Sequence, residues 1–108
     1  MPQIEHIRAV ESLDEICNVP GVSGLFIGPS DLSLSMGLGG QYDHPDMVAA
    51  KQRILDASRR YSLPLGVATT GIDDAKQWID DGAQMILVSS DNSLIASGAS
   101  QTLAQFGR

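Results

Sequence analysis

A chain of 108 residues, 43% apolar and 19% charged, has the make-up of one small globular domain and not of a disordered segment. No apolar run approaches the roughly 20 residues of a bilayer span, and Met1–Val10 lacks the apolar stretch of a secretory signal, so no membrane partner and a cytoplasmic location are expected. A net charge of −6 argues against nucleic acid as a partner, and a single cysteine, Cys17, excludes an internal disulfide.

In chain order, Pro2–Glu5 reads as a short strand. Ile7, Val10, Leu13 and Cys17 then recur at helical spacing, which predicts one helix over Ile7–Cys17 with an inert, buried thiol at its end. Val19-Pro20-Gly21 breaks the pattern. Gly24–Gly28 is an apolar run between glycines, as in a strand buried on both faces. Pro29–Tyr42, rich in Gly and Ser, reads as a long loop with one helical turn.

His44-Pro45 opens a helix to about Tyr61, with Val48, Ala50, Ile54, Ala57 and Tyr61 on its buried side. Arg59-Arg60 suit the negative end of its dipole. Pro64–Ala68 is a third strand. Thr70 and Asp73 have the spacing of a capping box for a helix that stops at Gly82. Gln84–Val88 is a fourth strand. Asp91 or Asn92 caps a last helix expected to pack through Leu94, Ile95, Leu103 and Phe106.

Four strand–helix units with unbroken apolar strands indicate a parallel α/β sheet. Four units are half of a (β/α)8 barrel; the free-standing alternative is a small flavodoxin-like sheet. Residues 1–108 form a single partial-barrel domain in this reading. No internal repeat or linker is visible.

In parallel α/β folds reactive groups gather at the C-terminal ends of the strands. There the sequence places Glu5 after the first strand and Asp31 after the second, one strand–helix–strand repeat apart. Two carboxylates on one rim repel unless a cation lies between them, and hard oxygen ligands suit Mg²⁺ or Mn²⁺. Spacing alone leaves a plainer role open: Glu5 as a cap on the first helix, and Asp31 as a cap on the turn after Pro29.

Gln3-Ile4-Glu5-His6, Ala9–Ile16 and Gly24–Ser33, the last containing Phe26-Ile27-Gly28-Pro29-Ser30-Asp31-Leu32-Ser33, resemble the HpcH/HpaI aldolase family. Met36-Gly37, His44-Pro45 and Gly82-Ala83 also fall where that family has them, so the resemblance covers the whole chain. It implies the C-terminal half of a (β/α)8 barrel of the phosphoenolpyruvate/pyruvate type. It also implies reversible cleavage of 4-hydroxy-2-oxo acids to pyruvate and an aldehyde.

Carried over position by position, the resemblance makes Glu5 and Asp31 the metal ligands, with Mg²⁺ or Mn²⁺ as cofactor and Co²⁺ as a third candidate. Gln3 matches a side chain that hydrogen-bonds the 2-oxo acid substrate. Gly28 and Ser30 match the loop against its carboxylate, and Ala68 matches a pocket wall. Lys51 and Lys76 fall in helical segments, away from any Schiff-base position.

The family's catalytic Arg and His relay lie upstream of these residues, and His6 and His44 do not match them. The resemblance therefore implies an incomplete site, finished by a homo-oligomer or a complementing N-terminal half, and a truncated or late-started reading frame. A non-catalytic remnant and a citrate-lyase-β-like lyase are the other expectations.

Overall fold

The structure is a computed structural model and describes residues 1–107. Four strands, β1 (Gln3–Ile4), β2 (Leu25–Ile27), β3 (Leu65–Ala68) and β4 (Met85–Leu87), form one parallel sheet in the order β1-β2-β3-β4. Helices α1 (Ile7–Glu11), α2 (Leu13–Cys17), α3 (Pro29–Ser35), α4 (Pro45–Arg60), α5 (Ile72–Asp80) and α6 (Asp91–Gln105) separate and follow the strands. Strand neighbours in sequence are neighbours in space, the winding of a barrel wall rather than the switched order of a flavodoxin-like sheet.

The register gives the sheet two unlike faces. Ile4, Ile27, Val67 and Ile86 lie in one row across all four strands. A row of Leu25 and Leu65 joins them on the same face. These side chains pack with Val10, Leu13, Met47, Ile54 and Trp78 of the helices to make the core. Gln3, Phe26, Gly66 and Met85 form the alternate row and point the other way. A Cβ on Gly66 would lie 2.5 Å from the Phe26 ring, so the ring lies across the space that a larger residue would occupy.

The local structure departs from the sequence expectation in five places. The first helix is two helices, broken at Ser12, whose backbone (φ −106°, ψ 22°) leaves the helical range. The periodicity runs through the break because Val10 and Leu13 still face one core. Pro29–Ser35 is a full helix rather than a loop, with Pro29 in its first turn and Leu32 and Ser33 buried.

In α4 the buried stripe runs through Met47, Ala50, Ile54 and Ala57. Val48, one step of about 100° round the helix, is half-exposed instead. The box at α5 is shifted by one residue: Gly71 is the N-cap, and Asp74 Oδ2 accepts from the Thr70 N–H at 2.9 Å and its hydroxyl at 3.1 Å. Gly82 does end that helix, with φ +98°.

The last helix is capped by Ser90, whose hydroxyl accepts from the Ser93 N–H. It buries no residue. Leu94, Ile95, Leu103 and Phe106 are all more than half exposed, because no described element lies beyond β4 for them to pack on. The radius of gyration is accordingly 16.0 Å, against about 13 Å for a compact domain of this length.

Candidate active site

All the strands end on one rim, and the sequence-predicted residues gather there. Gly28 follows Ile27, and its N–H donates to the Ile4 carbonyl at 3.2 Å, so the ends of β1 and β2 lie side by side. Glu5 is the residue after β1. Its Oε2 accepts a hydrogen bond from Gln3 Nε2 at 2.6 Å. Gly28 lies against this pair: a Cβ there would sit 2.6 Å from Gln3 Nε2 and 3.2 Å from Glu5 Oε2. Only a residue without a side chain leaves both groups in place.

Asp31 stands three residues beyond Gly28, exposed, in the first turn of α3. Its charge there suits the positive end of the helix. The two acids thus leave adjacent parallel strands at the same end. Neither takes the capping role that spacing left open. The N-cap of α1 is His6, whose Nδ1 accepts from the Arg8 N–H at 3.1 Å. The N-cap of α3 is Gly28, with no side-chain cap bond.

Ser30 begins the same turn and is exposed; its hydroxyl is 3.1 Å from the Tyr42 hydroxyl. Ala68 ends β3, half-buried, opposite Leu87. The chemistry-bearing end of the sheet therefore reads Glu5, Gly28, Ala68 and Leu87 from β1 to β4.

Other polar groups lie elsewhere. His44 caps α4 by accepting from the Asp46 N–H. Lys51 lies in α4 with its Nζ 6.0 Å from the centre of the Trp78 ring, and Lys76 lies in α5 near Asp73. Arg59 and Arg60 do sit in the last turn of α4, but each has a specific partner. Arg59 donates to the Asp81 carbonyl at 2.7 Å, and Arg60 pairs with Asp14 at 2.9 Å. A hollow of about 190 Å³ lies between α1, α2 and α4, lined by Asp14, Arg53 and Arg60, on the helical side and away from the strand ends.

Cys17 is half-buried and packs against the core, and burial pushes its thiol above the ordinary range, helped by the charge of Asp14 and opposed by Arg60. Tyr61 is raised chiefly because its hydroxyl donates to Asp14.

Sequence reasoning missed Tyr42, Ser33 and Ser35. Ser33 is fully buried; it donates to the Ser30 carbonyl at 2.8 Å and accepts from the Gly40 N–H at 3.0 Å. Ser35 accepts from the Ile7 N–H at 2.9 Å. The Ser35 bond to Ile7 spans 28 positions, and the Ser33 and Tyr42 bonds join α3 to the loop after it, so no helix or strand periodicity marks them.

The donor set also bears on which ions the rim could hold. Among the described residues no group of three or more His, Cys, Asp or Glu side chains is placed to hold a metal. Two carboxylates remain, Glu5 against Gly28 and Asp31 in the first turn of α3. That set fits a hard cation of the Mg²⁺ type, which is commonly held by one or two carboxylates with water and substrate oxygens filling its other positions. It does not fit a closed zinc site.

The sequence profile of HpcH/HpaI aldolases and citrate lyases matches residues 1–97. The chain belongs to this family. It is 38% identical over 104 residues to a 4-hydroxy-2-oxo-heptane-1,7-dioate aldolase of Klebsiella pneumoniae, covering 96% of this chain and 39% of that one. Two solved structures share the fold closely. The HpcH/HpaI aldolase of Desulfitobacterium hafniense superposes with a TM-score of 0.85 at 35% identity, over 96% of this chain and 40% of its own. A family member from Burkholderia cenocepacia gives 0.91 at 33% identity, over 98% and 41%. The chain thus spans about 40% of the length of the relatives it matches. Its four parallel units are half of a (β/α)8 barrel.

Proposed function

We propose that this chain carries the metal-binding half of a carbon–carbon lyase site, one that cleaves 4-hydroxy-2-oxo acids to pyruvate and an aldehyde. The observation that carries the proposal is the rim arrangement: Glu5, oriented by a hydrogen bond from Gln3 that Gly28 leaves room for, with Asp31 in the first turn of the helix after the next strand. Glu5 and Asp31 would hold a divalent cation, Mg²⁺ or Mn²⁺. A bound cation of this kind supplies Lewis acidity toward the 2-oxo oxygen of the substrate.

The remaining work belongs to side chains and backbone. The Gln3 amide has two N–H donors. One is directed at Glu5, which fixes that carboxylate's orientation, and the other is left for a substrate oxygen. Gly28 and Ser30 would border the substrate carboxylate, and Ala68 would wall the pocket with a small apolar group. The proton-transfer groups are not among these residues. In this reading a complementing N-terminal half supplies them, and the chain alone shows no turnover.

Pyruvate and Mn²⁺ are the direct probes. The account expects the methyl-proton signal of pyruvate to broaden when Mn²⁺ and the chain are both present, beyond the broadening by free Mn²⁺. It expects Glu5→Gln to abolish that excess. Excess broadening that survives Glu5→Gln, or none with the native chain, contradicts the proposal.

A further inference from the structure

We infer that Ser35 is a positioning residue for the acid pair, holding the turn that follows Glu5 against the helix whose first turn carries Asp31. The inference rests on the metal-site reading above and adds to it what keeps the two acids at one separation. Glu5 and Asp31 follow different strands: Glu5 lies in the turn between β1 and α1, and Asp31 in the first helical turn of α3. Such turns need cross-bracing if two ligands are to meet one ion.

The brace is visible. The Ser35 hydroxyl donates to the Leu32 carbonyl at 2.7 Å, which fixes its rotor. The oxygen's lone pair then accepts the Ile7 N–H at 2.9 Å. Ile7 is the first residue of α1, so its N–H has no partner within its own helix. It lies two residues after Glu5. The same helix thus carries Asp31 at one end and grips the Glu5 turn at the other.

Ser33 repeats the pattern on the opposite flank. Its hydroxyl donates to the carbonyl three residues back, at Ser30, and accepts the Gly40 N–H from the following loop. Two serines, two residues apart, therefore tie α3 to the chain on either side. A serine that merely filled space would not present its lone pair to a donor 28 positions away.

The test separates the brace from a simple cap. Mn²⁺ affinity is measured by the loss of free-ion paramagnetic resonance signal for the native chain, Ser35→Ala, Ser35→Thr and Ser58→Ala. Ser58, buried in α4, is hydrogen-bonded through its carbonyl to Leu63 below the start of β3, and so controls for a lost hydroxyl far from the rim. The brace predicts that Ser35→Ala weakens Mn²⁺ binding about tenfold while the chain stays folded. Ser35→Thr, which restores the hydroxyl, and Ser58→Ala stay within about twofold of the native chain, well short of that effect. Native affinity in folded Ser35→Ala, or no rescue by threonine, overturns it.

Amide exchange at Ile7 gives a reading that needs no metal. The N–H is protected in the native chain and exchanges roughly five- to tenfold faster in Ser35→Ala, the scale of one hydrogen bond. An unprotected Ile7 amide in the native chain overturns the brace even if the variant does not fold. If Mn²⁺ binding proves independent of Glu5, the acid-pair reading falls by itself, and the exchange result still decides the brace.

Discussion

The two faces of the sheet follow different rules. On the helix-covered face the strands present Ile4, Leu25, Ile27, Leu65 and Val67, all almost wholly buried. On the other face the same strands present Gln3, Phe26, Gly66, Met85 and, at the rim, Glu5, Gly28, Ala68 and Leu87. One face is uniformly branched-chain aliphatic. The other mixes acid, amide, glycine and aromatic within a few residues. A parallel strand turns successive residues to opposite faces, so one short segment can serve both: the first holds the fold together while the second stays free for chemistry.

Truncation tests the contrast most strongly. Ile27→Ala empties a fully buried site and should cost about 3 kcal/mol. Met85→Ala, on the open face and half-exposed, should cost less than about 1 kcal/mol. Urea unfolding of both variants measures the difference, and equal losses would break the distinction between the faces.

Gly28→Ala gives a smaller effect. The added methyl would press on Gln3 Nε2, which can swing aside, and on Glu5 Cβ at 3.2 Å, which cannot move without the backbone. A loss of about 1 kcal/mol is expected, together with a shifted Gln3 side-chain amide signal as its bond to Glu5 breaks. An unmoved amide signal would show that the glycine is not what keeps the pair in place.

The weakest effect concerns the thiol on the covered side. Because burial raises Cys17 above its ordinary range, less of it is thiolate at pH 8 than in an unfolded chain. Alkylation by iodoacetamide should therefore run several-fold slower in the native protein than in urea. By the same sign, the stabilisation tied to the protonated thiol is present below the ordinary cysteine range and is lost as pH rises through the raised value. Equal rates in both states would remove burial as a restraint on this residue.

Much of the covered face was legible in the sequence, and less of the open one. Gly24–Gly28 and Pro64–Ala68 declared strands because unbroken apolar runs between glycine and proline have few other uses. The rim acids were legible because each lies within a few residues of a strand's C-terminal end, Glu5 directly after β1 and Asp31 four residues after β2. The helix at Pro29–Ser35 was not, since its serines look like loop residues until their hydroxyls are seen bonding carbonyls one turn back. The break at Ser12 was hidden because no glycine or proline marks it. The exposure of α6 could not be read at all: Leu94, Ile95, Leu103 and Phe106 suggest a buried stripe, and burial depends on a neighbour that a sequence pattern does not supply. For the same reason the Ser35–Ile7 bond, made across the fold, left no trace in local spacing.

The central claim is that Glu5 and Asp31 share one ion. A double-mutant cycle in Mn²⁺ affinity over Glu5→Gln, Asp31→Asn and the pair tests it most directly. The account predicts one Mn²⁺ per native chain, a loss of about tenfold or more in each single variant, and a double variant little worse than either. Losses that simply multiply, or native affinity in either single variant, would contradict it.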